Sequence, residues 1–290
     1  MSWHLRRSLH PATAASLHPL GEDHVDGSIR VRLARCPGGF HLSYDDTGTF
    51  DVLSGGRRIE WSAGPRAVDE AVRLDILGRV LPLAMHMQGT LTLHGSAVDI
   101  GGCGVAFLAP KRHGKSTLAR ALLQAGARLL TDDVAAVDLS PLPSVRCGVQ
   151  ELRLWPDAAE RFDADVTTPS GICGKVTVTA GADAQSVHGA APLAAICILA
   201  PVRDGERVRR VRMPAVPAAM ALVAEARLAA LLGREESAVL LDRAVRLSQL
   251  VPVYRLEIAR DLGALPSVAE QIMRWYAPAA PRAAAEGVSA

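Results

Sequence analysis

Gly104-Val105-Ala106-Phe107-Leu108-Ala109-Pro110-Lys111-Arg112-His113-Gly114-Lys115-Ser116-Thr117-Leu118 decides how this chain is read. The stretch opens on a short apolar run, Gly104 to Leu108, of a length that suits a buried strand. It closes on Gly-Lys-Ser-Thr at the start of a helical pattern carried by Leu118, Ala121, Leu122 and Leu123, which Gly126 ends. Between the two lies a loop that matches the phosphate-binding pattern G-x-x-x-x-G-K-[ST], with Ala109 in the first glycine position. In that setting, backbone N–H groups of the loop and of the helix N-terminus point at phosphate oxygens. Lys115 neutralises β/γ-phosphate charge, and the Ser116 hydroxyl reaches a magnesium ion. Gly114 allows close backbone approach where a side chain would collide. Ala109, Pro110, Lys111, Arg112, His113, Gly114, Lys115, Ser116 and Thr117 are therefore the expected nucleotide loop. The competing reading is a chance G-K-S-T at a helix start. His113 is expected either to touch phosphate or to face solvent.

Two features on either side of the loop add to it. Arg128-Leu129-Leu130-Thr131 reads as the next strand and runs into Asp132-Asp133. Adjacent carboxylates repel, so the pair favours a cation or a proton between them. One can ligate magnesium while the other accepts a proton from an attacking hydroxyl. The plainer reading is a turn or helix cap, where aspartate is common. Upstream, Leu91 to Ile100 is a strand with a polar centre, His94-Gly95-Ser96, followed by the turn Gly101-Gly102. A lone strand histidine such as His94 is most simply structural; its place just before a phosphate loop makes it a candidate site residue.

Further out, Ile29, Val31 and Leu33 alternate with arginines, and Phe40, Leu42 and Tyr44 alternate after Pro37-Gly38-Gly39. With Phe50 to Leu53 they predict a small β-rich module with hairpin signals. Pro65 opens a helical pattern in which Val68, Val72, Ile76 and Val80 recur every four residues. Downstream, strands are expected at Lys175–Val178, Ala194–Ala200 and Val253–Ile258. Helices are expected from Asp157, over Met220–Leu232, over Ser237–Leu250 and over Ala264–Tyr276. Asp163 to Gly174 reads as a loop.

Composition narrows the function. Apolar residues make up 49% of the 290, enough for a sizeable core. The net charge is only +2 and aromatic residues are 4%, which argues against nucleic acid as a partner. No stretch is long and apolar enough to span a bilayer, and no signal peptide is recognisable. Five cysteines without a C-x-x-C pair fit a reducing, cytoplasmic setting. A homo-oligomer is left open.

The stretch Leu93 to Asp138 resembles the C-terminal kinase domain of the HPr kinase/phosphorylase family. The likeness is carried by Leu93-His94-Gly95-Ser96-Ala97-Val98-Asp99, by Gly104-Val105, by the phosphate loop, and by Gly126-Ala127-Arg128-Leu129-Leu130-Thr131-Asp132-Asp133. The close spacing of loop and D-D pair is shared with the related phosphoenolpyruvate carboxykinases. Glu151-Leu152-Arg153 is similar to the family's E-I-R segment. The resemblance implies an α/β fold over residues 90–276, a P-loop kinase core of the HPr kinase/phosphoenolpyruvate carboxykinase type. Residues 1–64 would be the small β-rich module, 65–89 a linking helix and 277–290 a disordered tail.

The same resemblance implies roles. Lys115 binds the β/γ-phosphates, Ser116 and Asp133 hold magnesium, and Asp132 is the general base. His94 orients that base, Glu151 is a second metal ligand, and Lys175 stabilises the transferring phosphoryl group. The two aspartate roles are exchangeable at this stage. The loop core reads Lys111-Arg112-His113, and the N-terminal module does not look like the sensor domain of full-length HPr kinases. HPr is therefore not the expected acceptor. The compact arrangement looks like HPr-kinase-like kinases found with lasso peptides, where a precursor's C-terminal serine is phosphorylated. ATP, Mg2+ and a peptide or small protein bearing a serine hydroxyl are the implied ligands. A small-molecule kinase and a non-catalytic nucleotide-binding regulator are the alternatives; intact Lys115, Ser116, Asp132, Asp133 and His94 argue against the regulator. Replacing Lys115 by Ala removes the cation facing the β/γ-phosphates, so phosphoryl transfer should fall by orders of magnitude. Calorimetry and turnover measurements check this, and wild-type ATP affinity and rate in Lys115→Ala would sink the loop assignment.

Overall fold

Side chains that alternate along a strand fill one face of a sheet, and the N-terminal residues do so. The computed structural model describes residues 3–7, 16–25, 27–139, 142–162, 166–169, 174–179, 189–202, 208–259 and 261–277. Its first six strands are β1 (His4–Arg7), β2 (His18–Val25), β3 (Ile29–Cys36), β4 (Gly39–Tyr44), β5 (Gly48–Leu53) and β6 (Arg58–Ala63). They form one sheet in the order β1-β6-β5-β4-β3-β2. All neighbours are antiparallel except β1, which runs parallel to β6. Val31, Leu33, Leu42, Phe50, Val52 and Ile59 are fully buried on its inner face.

The linking segment is one helical run with a fault in it. It comprises α1 (Asp69–Asp75), a π-helical turn (Ile76–Val80) and α2 (Leu81–Met87). The expected start at Pro65 is too early: Val68 is the extended N-cap of α1 and is 55% exposed, so the four-residue apolar period begins at Val72.

The next elements follow the expected strand–loop–helix order. They are β7 (Leu91–Ile100), β8 (Cys103–Leu108), α3 (Lys115–Gln124), β9 (Arg128–Thr131), β10 (Val134–Asp138) and β11 (Ser144–Arg146). Then come β12 (Glu151–Leu154), α4 (Pro156–Arg161), β13 (Val166–Pro169), β14 (Val176–Thr179), β15 (Ala190–Val202) and β16 (Val208–Arg212). The chain continues through α5 (Ala215–Ala224), α6 (Arg234–Leu250), β17 (Val253–Ala259) and α7 (Leu265–Tyr276). The main sheet has the order β11-β10-β7-β8-β15-β17-β16, with β9 also paired to β7. β15 is parallel to both β8 and β17, and β7–β8 is an antiparallel hairpin. A small antiparallel sheet, β12-β14-β13, stands apart. The architecture is mixed α/β.

Alternation divides the main sheet between two cores. Ala106 and Leu108 of β8 face the N-terminal sheet, α2, α5 and α6. Val105, Phe107 and Ala109 face α3, α4 and α7. The N-terminal sheet and one face of the main sheet thus share a single buried cluster.

Two further expectations change. The Asp163–Gly174 loop contains β13. The helix expected over Met220–Leu232 is α5, which stops at Ala224 because the next residues are drawn onto β7: His94 N–H donates to the Glu225 carbonyl at 2.7 Å and Arg227 N–H to the Thr92 carbonyl at 3.0 Å. The tail 278–290 lies outside the described residues. No helix among the described residues is long and apolar enough to cross a membrane.

Gly95 is where the hairpin is tightest. A Cβ there would lie 2.4 Å from Leu108 Cδ2 and 2.6 Å from the Phe107 carbonyl oxygen. Gly95→Ala should therefore cost about 1–3 kcal/mol through forced strand separation, read as a lower urea midpoint at unchanged slope.

Candidate functional site

The loop between β8 and α3 holds its shape without the missing glycine. Ala109 is fully buried and is not among the non-glycine residues with positive φ, so a methyl group fits at that position. The left-handed positions are Arg112 (φ 66°) and Gly114 (φ 82°), and Gly114 is the N-cap of α3. No side chain caps that helix, leaving its first N–H groups open to an anion. His113 Nδ1 lies 2.9 Å from the Lys111 carbonyl, a bond within the loop.

Lys115 sits at the centre of the site and is 8% exposed. Its ammonium donates to the carbonyls of Ala109 at 2.6 Å and Pro110 at 3.1 Å, and lies 3.0 Å from His94 Nε2. With Nε2 accepting from Lys115, the hydrogen of His94 is assigned to Nδ1, which faces Asp133: 3.2 Å to its carbonyl and 3.3 Å to its carboxylate. Burial pushes the imidazole below its usual range, and the neighbouring Arg227 and Lys115 add to this against Asp133. Burial pushes the Lys115 amine down to about 8, opposed by Glu225, Asp133 and Asp132 and assisted by Lys175.

The two aspartates of the pair take different hydrogen-bond partners. Asp133 adopts φ 69°, and the left-handed turn sends its carboxylate away from that of Asp132. Asp132 is buried and accepts from Ser96 Oγ at 2.5 Å, Ser116 Oγ at 3.0 Å and the Arg153 backbone N–H at 3.1 Å. Asp133, whose side chain is 38% exposed, takes His94 and the Arg227 guanidinium, the latter at 2.8 Å. Burial alone would raise the Asp133 carboxyl, but Arg227, the His94 hydrogen bond and Lys175 hold it well below the usual carboxylate range.

The partners are therefore the reverse of those expected. Ser116 is bonded to Asp132, not to Asp133, and His94 stands beside Asp133, not Asp132. The expected metal set of Ser116, Asp133 and Glu151 is not assembled. Glu151, on β12, instead pairs with Arg73 of α1 at 3.0 Å. Among the described residues no group of three or more His, Cys, Asp or Glu side chains is placed to hold a metal. A hydroxyl–carboxylate pair at a helix N-terminus nevertheless suits magnesium, which keeps several waters and takes its other ligands from phosphates. Ser116 and Asp132 make that pair.

Three further residues belong to the site. Arg227 bridges Asp133 and the π-helical turn, donating from Nε to the Gly78 carbonyl at 2.8 Å. Glu225 lies within electrostatic reach of Lys115 and His113, and burial raises its carboxyl despite them. Trp155 carries the loop's Arg112 over its ring at 5.1 Å and Lys175 at 5.8 Å, so both cations are held beside the loop. Sequence carried no mark for Arg227 or Glu225, whose places depend on pairing with a strand more than a hundred residues away. The likeness at Glu151-Leu152-Arg153 stops short of Trp155 and assigned no role to its ring. A cleft lined by Gln124, Ala125, Pro266 and Glu270 lies at the far end of α3 from the loop.

No family model and no curated protein matches this chain. Among solved structures, it is similar to the Hpr(Ser) kinase/phosphatase from Coxiella burnetii. The identity is 16% and the TM-score 0.33, over 63% of this chain and 93% of that one.

The depressed Lys115 amine has a consequence for stability. Between pH 8 and 10.5 the unfolded chain holds a proton that the folded chain has released, so this group favours folding increasingly as pH rises through that window. At neutral pH the buried ammonium costs stability, on the order of 3 kcal/mol. Nucleotide-free Lys115→Met should therefore be more stable than the parent at pH 7, by about 1–3 kcal/mol, and the margin should shrink towards pH 10. Urea titrations at the two pH values check it; a margin independent of pH would refute the buried-ammonium account.

Proposed function

We propose that the chain is a P-loop kinase of the HPr-kinase-like kind, moving the γ-phosphate of ATP onto the serine hydroxyl of a peptide or small protein. One observation carries the reading: the two aspartates beyond the loop are divided, one to Ser116 at the helix N-terminus and the other to a cationic, part-exposed corner. A phosphate-binding site alone does not need the second.

In this reading the open N-terminus of α3 and Lys115 hold the β- and γ-phosphates. To do so the ammonium leaves the Ala109 and Pro110 carbonyls. Ser116 and Asp132 are the residues that would hold magnesium. Bound there, it would neutralise charge on the β- and γ-phosphate oxygens. Asp133, facing solvent on the other side, accepts the hydrogen bond of the acceptor hydroxyl. The acceptor oxygen bonds to the γ-phosphorus as the bond from that phosphorus to the β–γ bridging oxygen breaks, and ADP leaves. The hydroxyl proton passes to Asp133. A carboxylate held so low by Arg227 is a weak base, but a loose transition state asks for little base strength before the phosphorus–oxygen bond has broken. Asp133 then contributes both by orienting the hydroxyl and by taking its proton. Lys175, which lies over the Trp155 ring, would meet the charge on the transferring group.

The aspartate variants separate these duties. Asp133→Asn should keep ATP and magnesium affinity within a few-fold while transfer falls about a hundredfold or more. Asp132→Asn should weaken magnesium and nucleotide together. Mass spectrometry of acceptor peptides ending in serine, with calorimetry for ATP, reads both, and excess EDTA should abolish transfer. The opposite pattern would return the base to Asp132. A wild-type protein that phosphorylates a metabolite but no peptide would be a small-molecule kinase, and one that binds ATP without transfer or hydrolysis a regulator.

A further inference from the structure

We infer that Arg227 is a positioning residue for the acceptor-side carboxylate, and that it is aimed by a backbone carbonyl whose α-helical i+4 donor is missing at Pro82. The inference rests on the role proposed for Asp133. In an α-helix the Gly78 carbonyl would accept from the N–H of residue 82. Residue 82 is proline and has no N–H. The run passes through a π-helical turn at Ile76–Val80 at this place, with Leu81 N–H donating to the Ile76 carbonyl five residues back. The Gly78 carbonyl is taken instead by Arg227 Nε at 2.8 Å.

The same guanidinium then reaches Asp133 Oδ2 at 2.8 Å and packs its other terminal nitrogen 3.2 Å from His94 Nδ1. Its own N–H is tied to Thr92. A planar fork fixed at its Nε has little freedom at its ends, so the carbonyl sets where the guanidinium meets the Asp133 carboxylate. Gly78 also leaves the room: a Cβ there would lie 3.2 Å from Arg227 Nη2.

The turn is held in turn by the N-terminal sheet. Arg79 pairs with Asp23 of β2 at 2.6 Å, and Asp75 accepts from Thr47 at 2.6 Å. Tyr44 is buried within electrostatic reach of Asp75, Arg79 and Arg227. The N-terminal sheet thus reaches the Asp133 carboxylate through one carbonyl and one arginine.

Pro82→Ala supplies an N–H that competes for the Gly78 carbonyl, and Gly78→Ala crowds the fork. Both changes favour regular helix, so thermal stability should hold or rise. In the full chain, kcat for transfer should fall about ten- to a hundredfold, with nucleotide affinity by calorimetry unchanged. Arg227→Lys keeps the charge but cannot bridge, and should lose as much. Arg227→Ala should recover part of its kcat with added guanidinium ion. Wild-type kcat in Pro82→Ala, Gly78→Ala and Arg227→Lys would overturn the inference. Absence of transfer by the wild-type protein, with nucleotide still bound, would instead overturn the role proposed for Asp133.

Discussion

Two like charges one peptide bond apart cannot occupy one small site without a cation or proton between them. Here the backbone removes the problem. The left-handed turn at Asp133 points the second carboxylate away from the first, and each then acquires partners suited to it. Asp132 collects hydroxyl and backbone donors. Asp133 collects a guanidinium and an imidazole. The division of roles proposed above for the two carboxylates rests on that difference in partners.

The rest of the site is arranged around the resting position of Lys115. Its ammonium lies against two carbonyls of its own loop and against His94. In the function proposed above, nucleotide binding would be an exchange of ligands on a cation that is already desolvated. Much of the desolvation cost would then be borne in the folded state, as stability given up for a preorganised charge.

Local patterns were legible and non-local ones were not. The loop could be found because strand, Gly-Lys-Ser-Thr and helix are contiguous, and β3, β4 and β5 because each alternates and ends at a turn. β1, β2 and β16 escaped: His4–Arg7 and Val208–Arg212 are edge strands rich in arginine, whose charge protects an open edge and hides the alternation. The Val68 period suggested one helix but could not reveal its fault, although Gly78 and Pro82 stand four apart in plain view. The helix expected through Leu232 failed because residues 225–227 pair with β7, a contact that no window of sequence contains. The aspartate assignments needed φ of Asp133, which sequence leaves open.

β15 gives the fold a particular order of birth. It lies between β8 and β17 and is parallel to both. A ribosome releases the β7–β8 hairpin and the phosphate loop long before β15, and β17 later still. Until β15 emerges, β8 has one unpaired edge with Phe107 and Leu108 on its two faces. Parallel pairing over such separations is slow, so the nascent chain carries β8 half-covered until synthesis has passed β15. Chaperone demand in this protein should accordingly track the time between those two strands rather than its overall stability.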